Sequence, residues 1–290
     1  MTTSSSSKTS VRQSAVAGSF YPAAAGKLQR DVDELLQRAT VPEKFGTIHG
    51  IVSPHAGYVY SGFTAAHSYK LLKGRKFDAV IIVGPSHREY FDGISIFPGE
   101  CYQTPLGEVP INDKVRSKLI REDKGIVLST VGHRTEHSVE VQLPFLQRAL
   151  GSFSFVPVIM GDQSLELCQN LAEVMSSAIS GQNVLLVASS DLSHYHTYDE
   201  AVSLDKRVID LVESFDSLQL LQRTQRRELE ACGAGPMVAV MLAARSLGAN
   251  VARVIHYCNS GDVTGEKDAV VGYLSAMFTR EAQESSPRVN

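Results

Sequence analysis

Cysteine is scarce. The 290 residues hold four, Cys101, Cys168, Cys232 and Cys258, and none stands in a CxxC pair. That spacing excludes a zinc ribbon and a disulfide framework, and makes a reducing, cytoplasmic setting the default. Long apolar runs are missing as well. Nothing approaches the roughly 18 consecutive apolar residues of a membrane span, and "MTTSSSSKTSVRQ" lacks the apolar segment of a secretory signal. No charge of one sign accumulates: the formal net charge is −3, with no basic stripe and no acidic block. A nucleic-acid partner and a membrane partner are therefore not expected. Tryptophan is absent, which excludes nothing.

What is present is ordinary globular composition, 43% hydrophobic and 20% charged. The polar ends, residues 1–12 and 281–290, read as disordered tails, and 13–280 as one domain without a linker or an internal repeat. Within it, strand-like and helix-like patterns alternate. "KLQRDVDELLQRA" places Leu28, Val32, Leu35 and Leu36 at helical spacing. "TIHGIVSP", "DAVIIVGPSH", "FSFVPVIMG" and "NVLLVASSDLSH" read as buried strands. "FTAAHSYKLLKG", "HSVEVQLPFLQRAL", "LELCQNLAEVMSSAIS" and "GPMVAVMLAARSLG" read as helices. "VARVIHYCNSG" and "AVVGYLSAMF" close the chain as an antiparallel strand pair. The pattern predicts an α/β fold, a three-layer domain with a largely parallel central sheet and helices on both faces.

Three of these strands end alike. "GIVSP" is followed by His55, "AVIIVGPS" by His87, and "VLLVASS" by Asp191 and then His194. Ligands of open α/β sheets bind outside the carboxyl ends of the strands, so these four side chains are expected to converge. Two imidazoles with one anionic donor suit a mononuclear non-haem iron site. Cys232, in "LEACGAGPMVAV" just before a helix, is one candidate for the third donor, because a helix N-terminus lowers a thiol pKa. Asp191 is the other. In "RTEHSVEVQLPF", His137 and Glu140 stand three apart; on a helix they share a face and suit proton transfer or the orientation of a ligand. His49, His67, His133, His196 and His256 read as ordinary surface or core histidines, and Cys101, Cys168 and Cys258 as small core hydrophobes.

Seven blocks together resemble the Memo family, whose bacterial and archaeal members are called AmmeMemoRadiSam system protein B. They are "AGSFYP" at 17–22, "PHAGYVYSG" at 54–62, "GPSH" at 84–87, "TPLGEV" at 104–109, "EHSVEVQLPFLQ" at 136–147, "SSDLSHY" at 189–195 and "CGAGP" at 232–236. The resemblance implies a fold similar to class III extradiol dioxygenases. It implies a metal at His55, His87 and Cys232, with Asp191 and His194 lining the same pocket. Those dioxygenases use a carboxylate where this chain places Cys232, which argues against carrying ring cleavage over. A thiolate also suits copper or zinc. The prokaryotic name implies an association with a radical-SAM protein.

The expected function is accordingly a dioxygenase-like oxidoreductase acting on a small molecule. Fe(II) would be held by His55, His87 and Cys232, with His194, Asp191, His137 and Glu140 as catalytic candidates. The alternatives are a copper- or iron-binding protein without turnover, and a ligand- or peptide-binding module on the same fold. No glycine elbow surrounds Cys232, so nucleophilic hydrolysis is set aside.

Overall fold

The computed structural model describes residues 11–282. The first elements are β1 (Val11–Arg12), α1 (Ala25–Arg38), β2 (Thr47–Ser53), α2 (Tyr58–Lys70) and β3 (Ala79–Pro85). A region of short elements follows: β4 (Ile94–Ile96), β5 (Cys101–Thr104), β6 (Gly107–Pro110), α3 (Asp113–Leu119) and β7 (Ile126–Leu128). Then come α4 (Leu143–Leu150), β8 (Phe155–Met160), α5 (Leu165–Ala178), β9 (Val184–Ser189) and β10 (Asp191–His196). The chain continues through α6 (Tyr198–Glu213), α7 (Ser217–Gln225), α8 (Ala234–Ser246), β11 (Val251–Asn259), α9 (Ser260–Thr264) and β12 (Val270–Arg280).

A nine-stranded sheet carries the fold. Its middle, in the order β2-β9-β3-β8, is parallel. All seven residues of β3 are buried, as a strand covered on both faces requires. Val80 and Ile82 face one helical layer, with Leu28, Tyr69 and Phe145 from α1, α2 and α4. Ile81 and Val83 face the other, with Met175 and Met237 from α5 and α8. The expected layering therefore holds, but the sheet is parallel only in its centre. β4 runs antiparallel to β8, and β12 runs antiparallel to β2, β10 and β11. β11 and β12, sequential strands joined only by the five-residue α9 and a loop, form the antiparallel pair expected at the end of the chain. A small second sheet joins β1, β5 and β6.

One irregularity builds the functional edge. β2 pairs with β12 through Val52, and β10 then takes up β12 from Asp191 onward. Where β2 turns away at Pro54, the chain leaving β9 steps sideways into the vacated lane. The expected single strand across 183–194 is thus two strands, broken at Ser190. The expected helix over 137–150 begins only at a 3-10 turn, Glu140–Gln142, before α4. At the N-terminus, Val11 and Arg12 are not tail. They pair in parallel with Cys101 and Tyr102, and Arg12 is buried because its guanidinium is held by an internal carboxylate. Residues 1–10 and 283–290 lie outside the described residues. Among the described residues, no helix is long and apolar enough to cross a membrane.

Candidate metal centre

The carboxyl edge of the parallel strands gathers His55, His87 and Cys232. One donor atom from each lies within 4.8 Å of the others. Metal–donor bonds of about 2.0–2.3 Å put three donors on one ion within roughly that span. His55 Nε2 is 3.2 Å from Cys232 Sγ, and the His55 and His87 rings stand edge to face with centroids 5.0 Å apart.

The surroundings set which nitrogen of each ring is free. Ser189 Oγ donates its one proton to the Ser138 carbonyl at 2.6 Å and accepts from the Gln142 amide at 2.8 Å. Its contact with His55 Nδ1, at 2.8 Å, therefore has the ring as donor. That assigns the proton to Nδ1 and leaves the Nε2 lone pair facing Cys232. His87 Nδ1 sits 3.0 Å from Glu136 Oε1 and donates to it, again freeing Nε2. Committing the far nitrogen of a histidine in this way fixes its tautomer and ring orientation for ligation. Burial, reinforced by the neighbouring His87 and His137, holds the His55 pKa well below the usual value, so the ring is neutral.

Glu136 is the carboxylate that the sequence pattern did not single out. It accepts the backbone N–H of His87 at 2.5 Å and those of His137 and Ser138 at 2.8 Å. Burial opposes its charge, but the hydrogen bonds and charge of His87, together with His137, outweigh burial and hold its pKa far below the normal range. The expected His137–Glu140 pair does not form. His137 precedes the 3-10 turn, so the three-residue helical spacing does not apply. Glu140 turns away to Arg12, to the Tyr21 hydroxyl at 2.5 Å, and to the amides of Ala15 and Val16. His137 remains beside the metal candidates, its ring 4.7 Å from that of His87 and 5.3 Å from that of His55. Its Nδ1 lies 3.2 Å from Glu136 Oε1 yet makes no hydrogen bond among the described residues. Burial lowers its pKa to about 4.

Cys232 reverses an expectation. It stands just before Gly233, the N-cap of α8, but burial first and the Asp191 charge second push the thiol up, not down. The Asp191 carboxylate accepts the His55 backbone N–H at 2.8 Å, and the Asp191 amide points at Sγ at 3.2 Å. Burial raises the Asp191 pKa against that hydrogen bond. Asp191 thus braces His55 and Cys232 alike. His194 gives its Nδ1 proton to the Leu192 carbonyl at 2.8 Å, leaving Nε2 free. A cavity of about 640 Å³ opens on this edge, lined by His55, His87, His137, Asp191 and His194 among others. Of the residues expected at the site, only Glu140 lies elsewhere.

A nearby histidine supplies a pH-dependent element. His133 Nε2 donates to the Ser95 carbonyl at 3.2 Å, so its Nδ1 accepts from the Tyr102 hydroxyl at 2.7 Å. Burial lowers the His133 pKa from 6.5 to about 3. The unfolded chain therefore binds this proton first. The contribution is complete above pH 6.5 and is lost as pH falls toward 3, by up to about 1.4 kcal/mol per pH unit. Urea unfolding between pH 6.5 and 4.5 should show falling stability, and His133→Gln should flatten the slope. An unchanged slope would show that His133 protonates freely in the folded protein.

Comparison with known proteins identifies the family. A family model described as Memo-like protein matches residues 12–277. A MEMO1 family protein of Methanosarcina mazei is 38% identical over 272 residues, covering 91% of this chain and 98% of its own. A MEMO1 family protein of Nitrosopumilus maritimus is 34% identical, covering 92% and 99%. Among solved structures, an uncharacterized protein from Escherichia coli K12 aligns with a TM-score of 0.53 at 14% identity, covering 79% of this chain and 99% of its own. That last likeness concerns the fold alone.

Proposed function

The chain belongs to the Memo-like protein family, and from that premise we propose that it is a metal-dependent oxidoreductase acting on a small molecule. The convergence of two imidazole nitrogens and one sulfur from three distant segments carries the reading. The donor set fits an ion in two respects. Both rings are neutral or tautomerically committed toward the shared space, and a buried thiol beside a carboxylate lacks the positive charge that would stabilise its anion. A cation held by His55, His87 and Cys232 would supply that charge and deprotonate the thiol.

Fe(II) is the ion assigned first, with copper and zinc as alternatives for a site containing a thiolate. Bound iron would supply redox chemistry and open coordination positions. The remaining work belongs to the protein. Ser189 and Glu136 hold the two rings, and Asp191 fixes the backbone of His55. His137 and His194, both on the cavity wall, are placed to take or return a proton on a small substrate.

Cobalt(II) tests the donor set directly. Anaerobic titration of the purified protein should give a near-ultraviolet sulfur-to-cobalt charge-transfer band with one equivalent bound. Cys232→Ser should abolish the band, and His137→Ala should leave it. Uptake below about a tenth of an equivalent, for a site expected to bind strongly, would sink the proposal.

A further inference from the structure

Three residues other than glycine adopt positive φ among the described residues: Tyr195 (63°), Phe215 (58°) and Arg227 (59°). Two have an ordinary reason. Phe215 and Arg227 each follow the C-cap of a helix, α6 and α7, where the left-handed conformation commonly ends the helix. Phe215 is also buried and stacked on Phe278 at 5.2 Å. Tyr195 has neither reason. It lies inside β10, where a bulky residue in this conformation is strained, and it is 76% exposed. Burial of its ring does not offset the strain.

The surrounding chain enforces the conformation. The β10–β12 register shifts on both sides of His194, the mark of a bulge that re-aims side chains. Two successive amides leave the ladder for carboxylates. Ser193 donates to Asp205 Oδ1 at 3.0 Å and His194 to Glu230 Oε2 at 3.2 Å. Asp205 is itself fully buried and accepts the Tyr257 hydroxyl at 2.8 Å. The bulge is therefore anchored from α6 and from the loop before α8. Its outcome is that the Tyr195 ring stands on the rim of the cavity, which Phe20, Tyr60 and Tyr273 also line.

We infer that Tyr195 is a specificity-determining residue that covers the ligand of this cavity, and that the ligand it selects carries an aromatic ring. This rests on the cavity being the substrate site of the proposed function. Aromatic rings prefer one another in offset or edge-to-face contact beyond the area they bury. A strained, exposed ring lining the same cavity as Phe20, Tyr60 and Tyr273 offers a face for that contact, and among the described residues its one ring contact is an edge contact with His194 at 5.7 Å.

The test uses 2-naphthol and its saturated counterpart, decahydro-2-naphthol, on the full chain. The absence of tryptophan leaves naphthol fluorescence clear, and the saturated alcohol is read by competition. Wild type should bind 2-naphthol about three- to tenfold more tightly than decahydro-2-naphthol. Tyr195→Gly should erase the preference, Tyr195→Phe should keep it, and the Tm of Tyr195→Gly should not fall, since glycine accepts this φ without strain. A wild type without the preference, including one that binds neither alcohol, overturns the inference. So does a Tyr195→Gly that retains the preference, or one whose Tm drops by several degrees, which would mark the ring as structural. Cobalt(II) uptake by the same preparations separates the two readings: intact uptake with a failed ring test sinks this inference alone.

Discussion

His55→Ala should weaken metal binding about a thousandfold, and the metal content of the purified protein should fall from near one equivalent to background. A set of three protein donors shares a binding free energy of about 12 kcal/mol, so one donor accounts for roughly 4 kcal/mol. His55 is the sharpest choice because it is 1% exposed and its Nε2 lies 3.2 Å from Cys232 Sγ. The donor's support should matter less than the donor. Ser189→Ala removes the acceptor that commits His55 Nδ1 and should cost about ten- to a hundredfold, the usual scale for a group one step behind a ligand. Inductively coupled plasma mass spectrometry on anaerobically purified variants gives the ranking. Equal metal content in wild type and His55→Ala would remove the basis of the metal reading.

The positions of His55 and His87 were legible because strand ends are legible, whereas the residues alone left Cys232 and Asp191 open as the third candidate. An apolar run closed by Ser-Pro or Gly-Pro marks where a buried strand leaves the sheet, and parallel strands bring such ends to one edge whatever their separation in sequence. Asp191 and His194 reached the same edge by a different route. The step from the β9 lane into the β2 lane depends on β2 turning away at Pro54, a long-range event with no local signature. The antiparallel β11–β12 pair was legible, but β4 and β7, three residues each, were hidden. A signal for α6 did exist: Thr197 and Glu200 form a capping box, which the spacing T-x-x-E announces.

The carboxylate beside the histidines was misplaced for a local reason. His137 and Glu140 would share a face on a helix, but the backbone at 138–139 is a turn that leads into the 3-10 turn at Glu140–Gln142. Glu136, adjacent to His137, then faces His87 while Glu140 faces Arg12. The thiol of Cys232 was misjudged because only its helix was visible in sequence. The burial and the Asp191 carboxylate that raise its pKa come from tertiary packing.

Glu140 offers the clearest separation between holding the fold and serving the site. Glu140→Ala should lower stability by about 3–5 kcal/mol, the scale on which removing one partner strands a buried charge, and Tm by about 10 °C. Glu140 is fully buried and Arg12 is 5% exposed. The Arg12 guanidinium also donates to the carbonyls of His133, at 2.8 Å, and Glu136, and lies 4.7 Å from the centre of the Tyr102 ring. Without Glu140 that cation keeps its carbonyl partners but loses its counter-charge, and the amides of Ala15 and Val16 lose their acceptor. Glu140→Gln should be milder, because the amide oxygen still accepts while the charge remains uncompensated. A combined Arg12→Met/Glu140→Leu variant should recover much of the loss, since an apolar pair of similar size replaces a buried ion pair at little cost. At temperatures where the variants are folded, their cobalt(II) stoichiometry should match wild type, because neither side chain offers a donor to the ion. Thermal unfolding by circular dichroism, with metal content measured on the same samples, decides the matter. A Glu140→Ala protein of unchanged Tm that fails to take up cobalt(II) would return Glu140 to the site and refute its assignment as a structural anchor.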